Sequence, residues 1–175
     1  MQDILQRAQQ TKLVIFDVDG VLTDGSLFFG DDGQEYKSFY ARDGLGIKLL
    51  QRTGVEVGVI TARHSQVVVH RMENLGIKHF YQGQLDKLVA YHDMLDTLSL
   101  RAEQTAYVGD DVIDLPVMRQ VGLAIAVQDA HPFVKQHAHW VTEHRGGRGA
   151  ARDACELIMQ AQGTLETQYQ TFLNQ

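Results

Sequence analysis

The sequence predicts an α/β fold, a Rossmann-like doubly wound and mostly parallel sheet with a β-hairpin extension after the first strand. Three features of the 175-residue chain predict it. Short apolar, β-branched runs alternate with stretches of helical periodicity, the pattern of parallel strands joined by crossover helices. Most of those runs end in Asp, Gly or Thr, as strands do where they open into loops. One segment breaks the alternation, with aromatic residues on both sides of Gly30-Asp31-Asp32-Gly33. No repeat or internal linker divides the chain, so a single domain over 1–175 is expected.

Residues 1–10 read as a short polar helix or a loose arm. Lys12-Leu13-Val14-Ile15 reads as a buried strand that delivers Asp17 and Asp19. The hairpin covers about 26–40, and its aromatics suit cross-strand pairing or a subunit contact, because an isolated hairpin is only marginally stable. Asp43 is placed to cap a helix through Leu45, Ile47, Leu49 and Leu50 that stops at Gly54. Residues 55–60 form the next strand, ending in Thr61-Ala62-Arg63. A helix with Val67, Val68, Arg71, Met72 and Leu75 ends at Gly76. A short strand at His79-Phe80-Tyr81 precedes a helix over about 85–98, with Lys87 near its start. Residues 105–108 make a strand that ends in Gly109-Asp110-Asp111. Asp114 can cap the following helix, with Pro116 tolerated in its first turn. Residues 123–127 and 139–141 are the last strands. Gly146-Gly147-Arg148-Gly149 and a helix over 150–162 close the fold. The end of the chain, about 164–175 and above all 168–175, reads as a weakly structured, flexible tail.

Bulk properties narrow the function. Apolar content of 44% and charged content of 22% describe an ordinary globular protein. A net charge of −6 argues against a general nucleic-acid or anionic-membrane binder, while leaving room for a local cation cluster that takes a phosphorylated ligand. The single cysteine, Cys155, leaves no internal disulfide and falls on an amphipathic helix, where it reads as core packing. No apolar run reaches the ~18 residues of a membrane span. Met1-Gln2-Asp3-Ile4 lacks the basic start and apolar core of a secretory leader, so a cytoplasmic location is expected.

The chemistry gathers at one edge. Ligands of doubly wound sheets bind outside the carboxyl ends of the strands. There the sequence places Asp17 and Asp19, Thr61, Lys87, and Asp110, Asp111 and Asp114. Paired carboxylates repel, and a hard divalent cation such as magnesium resolves the conflict. Together these groups suit phosphoryl transfer. One carboxylate attacks phosphorus, a second acid protonates the leaving alcohol, and a hydroxyl and an ammonium hold the phosphoryl oxygens. The scattered histidines, His137 and His139 included, make a weak zinc case, and Gly146-Gly147-Arg148-Gly149 lacks the Walker pattern.

Asp17-Val18-Asp19-Gly20-Val21, Thr61, Lys87 and Gly109-Asp110-Asp111-Val112-Ile113-Asp114 resemble, in order and spacing, the four motifs of the haloacid dehalogenase-like phosphatases. The resemblance implies Asp17 as nucleophile, Asp19 as general acid and base, and Thr61 and Lys87 as holders of the phosphoryl group. It implies Mg2+ bound by the Asp17 side chain, the Asp19 backbone carbonyl and Asp110, with Asp111 or Asp114 orienting water or Lys87. An Asp at position 19 favours a phosphatase or phosphomutase within that superfamily. The short spacings after Asp24 and after Thr61 leave no room for an inserted cap domain, so the enzyme is expected to be capless. A closer resemblance, over nearly the whole chain, is to the 3-deoxy-D-manno-octulosonate 8-phosphate phosphatase family of lipopolysaccharide sugar synthesis. Tyr40-Ala41-Arg42-Asp43-Gly44-Leu45-Gly46, Thr61-Ala62-Arg63, Tyr107-Val108-Gly109-Asp110-Asp111 and Gly146-Gly147-Arg148-Gly149-Ala150 carry it. It implies substrate contacts from Asp19, Tyr40, Ala41, Arg42, Asp43, Gly44, Arg63, Arg71 and Lys87. It also implies a homotetramer assembled through the hairpin. Guanidinium groups suit a ligand that brings a carboxylate as well as a phosphate. Two other readings stand beside this one. One is a phosphatase of another sugar acid phosphate, such as N-acylneuraminate 9-phosphate. The other is a catalytically silent oligomeric subunit, which predicts a missing catalytic group where none is missing.

Overall fold

The computed structural model describes residues 1–174. α1 (Gln2–Gln10) leads into β1 (Leu13–Phe16), and a two-stranded hairpin follows, β2 (Phe28–Phe29) with β3 (Glu35–Tyr36). The chain then alternates through α2 (Ala41–Arg52), β4 (Glu56–Ile60), α3 (Gln66–Leu75) and β5 (His79–Tyr81). It continues through α4 (Lys87–Leu98), β6 (Thr105–Gly109), α5 (Leu115–Met118), β7 (Leu123–Ala126), α6 (Pro132–His137) and β8 (Trp140–Val141). α7 (Ala150–Ala161) and α8 (Leu165–Leu173) complete it.

The main sheet runs β5-β4-β1-β6-β7-β8, and every neighbouring pair is parallel. β1, β6 and β7 are buried along their whole length, which is why Leu13-Val14-Ile15-Phe16 and Leu123-Ala124-Ile125-Ala126 read as unbroken apolar runs. α1, α2 and α7 pack together on one face, and α4 and α5 cover the other. The core between them holds Leu13, Ile15, Phe16, Ile60, Tyr91 and Tyr107, all inaccessible to solvent.

Two features of this topology position the site. The strand order reverses at β1, which pairs with β4 on one side and β6 on the other, so the crevice above β1 and β6 is the topological switch point. The ladder also runs past the end of β1: the Asp17 N–H donates to the Val108 carbonyl at 3.0 Å, holding Asp17 rigidly at the mouth of that crevice. The hairpin stands apart from the main sheet. Its register places Phe28 opposite Tyr36 and Phe29 opposite Glu35, and Phe28, Phe29 and Tyr36 are more than half exposed.

The structure corrects three sequence expectations. The end of the chain is helical over Leu165–Leu173, with Leu165 and Tyr169 packed on the core and the Tyr169 hydroxyl on Glu156 of α7. A Gln-rich composition hid this docking helix; Gln175 lies outside the described residues. Asp43 does not cap its own helix, whose N-cap is Tyr40. Its buried carboxylate instead accepts from the Gly149 and Arg152 N–H groups at 3.3 and 2.9 Å, capping α7. Asp114 does not cap α5 through its side chain, because that carboxylate is engaged in the crevice described below. Cys155 is fully buried, and burial pushes its thiol far up, in keeping with a core role.

Candidate active site

Four strand-end loops bring their polar residues to the crevice. Asp17 follows β1, and its side chain is nearly buried. Lys87 opens α4 behind the cap made by Asp86, whose side chain accepts the Leu88 N–H at 3.1 Å. The Lys87 ammonium is buried and lies 2.9 Å from Asp17 Oδ1 and 2.7 Å from Asp114 Oδ1. Tyr107, on β6, donates its hydroxyl to Asp114 Oδ1 at 2.7 Å and lies 3.2 Å from Lys87 Nζ. The other oxygen of Asp114 accepts the N–H groups of Asp110 and Asp111 at 2.9 and 3.2 Å. Asp114 is therefore saturated, and its work is to aim Lys87 and to shape the Asp110 turn. Asp111 is exposed and caps the single 3-10 turn that follows it, accepting the Val112 N–H at 2.7 Å.

Oxygens of Asp17, Asp110 and Asp114 lie within 4.8 Å of one another. With Asp114 saturated and one Asp17 oxygen on Lys87, the second Asp17 oxygen and the Asp110 carboxylate remain to take a ligand. Burial, reinforced by the charge of Asp114, pushes Asp17 up to about 7. Burial, reinforced by Asp114, Asp17 and Asp111, pushes Asp110 up to about 8. Lys87 opposes both shifts but is a single ammonium among three carboxylates. Crowded hard oxygens short of positive charge fit a magnesium ion, which ionises them by its own charge.

Glycines admit this crowding. Gly20 has φ +89°, and a Cβ there would come within 2.1 Å of Asp110 Oδ2. Gly146 presses on the same loop, where a Cβ would meet the Gly20 carbonyl oxygen at 1.7 Å. The Gly147 N–H donates to the Val21 carbonyl at 2.8 Å, and Arg148 reaches Asp24 at 3.4 Å. The 146–149 segment thus braces the Asp17–Asp24 loop from behind.

The second half of the crevice is built by the hairpin. Lys37 pairs with Asp19 Oδ1, and Glu35 lies 3.3 Å from Lys37 and 3.1 Å from Arg63. Arg63 Nε is 3.8 Å from Asp19 Oδ2, and its guanidinium lies 5.9 Å from the centre of the Phe29 ring. Thr61 follows β4, next to β1 in the sheet, and its buried hydroxyl accepts the Arg63 N–H at 3.4 Å.

Of the residues singled out by sequence, Asp17, Lys87, Asp110 and Asp114 form one cluster, and Asp19 and Arg63 a second beside it. Thr61 borders both. The 40–44 segment is set on α2: Tyr40 is its N-cap, Arg42 lies over the Tyr40 ring at 6.0 Å, and Ala41 opens the helix. Arg71 packs across the Phe39 ring at 5.5 Å and against Gly44, where a Cβ would fall 2.4 Å from its guanidinium. None of these contacts ties Arg71 to Asp17 or Asp19. Sequence reasoning missed Lys37, Glu35 and Tyr107. Period-2 alternation could have found the first two, because Glu35 and Lys37 share a strand face opposite to Tyr36.

Comparison with known proteins agrees with this geometry. Residues 79–152 match the family model of haloacid dehalogenase-like hydrolases. The 3-deoxy-D-manno-octulosonate 8-phosphate phosphatase of Yersinia pestis is 52% identical over 94% of this chain and 88% of its own length. Its crystal structure superposes with a TM-score of 0.93, covering 94% of this chain and 89% of that one. The Escherichia coli (strain K12) enzyme of the same description is 48% identical over 94% of this chain and 87% of its length. The Moraxella catarrhalis enzyme, solved in complex with a magnesium ion, a phosphate ion and a KDO molecule, is 39% identical. It gives a TM-score of 0.96 and covers 98% of this chain and 99% of that one. The chain belongs to the 3-deoxy-D-manno-octulosonate 8-phosphate phosphatase family of the haloacid dehalogenase-like hydrolases.

Proposed function

We infer that the protein is a magnesium-dependent phosphatase that hydrolyses 3-deoxy-D-manno-octulosonate 8-phosphate to the free sugar acid and phosphate, a step of lipopolysaccharide sugar synthesis. The observation that carries this reading is the placement of Asp17 at the switch point, paired with the buried ammonium of Lys87 and flanked by Asp110.

In the proposed sequence, one Asp17 oxygen attacks phosphorus while the other faces the metal site, and the bond to the sugar oxygen breaks. Asp19 gives that oxygen its proton. Asp19 then takes a proton from water, which attacks the aspartyl-phosphate, breaks its P–O bond and restores the Asp17 carboxylate. Lys87 and Thr61 hold the phosphoryl oxygens through both steps. Asp17, Asp110 and the Asp19 carbonyl would hold the magnesium ion, which supplies positive charge against the phosphoryl oxygens.

Arg63, 42% exposed and 3.8 Å from Asp19, meets the substrate carboxylate in this reading. In this reading Tyr40, Ala41, Arg42, Gly44 and Arg71 also contact the substrate, and Asp43 serves them by anchoring α2 to α7. Exposed Phe28, Phe29 and Tyr36 support assembly into a homotetramer through the hairpin. No helix among the described residues is long and apolar enough to cross a membrane, and we assign the enzyme to the cytoplasm.

A phosphate-release assay with 3-deoxy-D-manno-octulosonate 8-phosphate and N-acylneuraminate 9-phosphate, with and without magnesium, tests the substrate. The expected result is magnesium-dependent turnover with preference for the first; equal or reversed preference overturns it.

A further inference from the structure

We propose that Lys37 is a positioning residue for the acid–base carboxylate, pinning Oδ1 of Asp19 so that Oδ2 is the oxygen that exchanges the proton. The inference rests on the role assigned to Asp19 above.

The Lys37 side chain is 1% exposed, although it leaves a hairpin whose aromatics face solvent. A buried ammonium requires compensating anions. Two are present, Asp19 Oδ1 in direct contact and Glu35 Oε1 at 3.3 Å. Arg63 closes the ring, 3.1 Å from Glu35 Oε1 and 3.8 Å from Asp19 Oδ2. Two cations and two carboxylates alternate, so the ring is neutral and each Asp19 oxygen faces a different cation. The contacts are unequal. Lys37 touches Oδ1, whereas 3.8 Å is beyond a hydrogen bond and leaves Oδ2 without one, on a side chain that is 21% exposed.

That inequality has chemical content. A general acid works only when one oxygen is held toward the leaving group, and a displacement of about 1 Å costs on the order of a hundredfold in rate. When Asp19 gives up its proton, negative charge appears on a carboxylate already facing an ammonium, so little reorganisation is needed. Glu35 completes the device by holding Lys37 from the far side. The hairpin therefore carries part of the catalytic arrangement.

The test uses the full chain with magnesium and 3-deoxy-D-manno-octulosonate 8-phosphate, in steady state and in single turnover with enzyme in excess. Lys37→Met is expected to lower kcat about thirtyfold with KM within about threefold, and Lys37→Arg to recover most of the loss. In an Asp19→Asn background, Lys37→Met should change the residual single-turnover rate by less than about twofold, because the group it serves is gone. Lys37→Met with wild-type kcat, beside an inactive Asp19→Asn, overturns the proposal and leaves the role of Asp19 standing. An undiminished Lys37→Met effect in the Asp19→Asn background overturns it as well, since Lys37 then acts by another route. A fully active Asp19→Asn overturns the role of Asp19 itself. If Lys37→Met does not melt cooperatively, Lys37→Gln, which keeps a donor for Oδ1, takes its place in the same comparison.

Discussion

Asp17 and Asp19 are two residues apart and occupy opposite electrostatic surroundings. Around Asp17, three carboxylates share one ammonium, and burial with mutual repulsion pushes Asp17 and Asp110 up to about 7 and 8. Around Asp19, two carboxylates meet two cations in a neutral ring. The difference assigns the metal to the Asp17 side, where positive charge is short. It also separates origins: the Asp17 half is held by the buried sheet, the Asp19 half by the hairpin.

Neutralising each half in turn should produce the largest effects and break the comparison if they match. Asp110→Asn is expected to lower turnover about a thousandfold and to abolish the rise in melting temperature that magnesium gives. Asp19→Asn should lower turnover to a similar degree yet keep that rise, because its backbone carbonyl is unchanged. Calorimetry of both variants with and without magnesium checks this, and loss of the rise in Asp19→Asn would merge the two halves.

Gly20→Ala comes next. A methyl would press on the Asp110 carboxylate at a backbone angle that favours glycine, and turnover should fall about a hundredfold while the sheet still folds. Circular dichroism alongside the phosphate assay separates the two.

The pH dependence of stability should follow the Asp17 half. Asp17 and Asp110 are raised above the unfolded value of 3.8, so between about 4 and 8 the folded protein holds more protons than the unfolded one. Their contribution is complete below about 4 and is lost as pH rises through 7 and 8. The metal-free protein should melt about 5 °C lower at pH 8 than at pH 5, with magnesium restoring most of this at pH 8. A metal-free melting temperature that climbs over this range would contradict the crowding.

The smallest effect concerns the hairpin. Replacing Phe28 and Tyr36 with Ser removes exposed aromatics and should change monomer stability by about 0.5 kcal/mol or less. Light scattering should show a smaller assembly. Turnover should fall about fivefold as the Lys37 ring loosens, with the magnesium response intact.

How much of this could be read from the sequence follows the same division. The sheet half was legible because β1, β4, β6 and β7 are apolar runs, and Asp17, Thr61 and Asp110 follow where those runs end. The hairpin half was not. The aromatics Phe28 and Tyr36 suggested cross-strand pairing or a contact surface, while nothing singled out Glu35 and Lys37, which flank Tyr36. Only the fold shows that their shared face turns onto Asp19. Asp43 was misread for a related reason, since its partners, Gly149 and Arg152, lie far along the chain. A local rule for helix caps could not reach them. The closing helix Leu165–Leu173 escaped because its order comes from Tyr169 on Glu156, a tertiary contact and not a propensity.

The most direct test is phosphate release by Asp17→Asn with magnesium and 3-deoxy-D-manno-octulosonate 8-phosphate, on protein whose melting curve shows it folded. Loss of turnover by about a thousandfold or more, with phosphate still bound at the Lys87 side of the crevice, is the expected result. Turnover near that of the unaltered protein would contradict nucleophilic attack by Asp17.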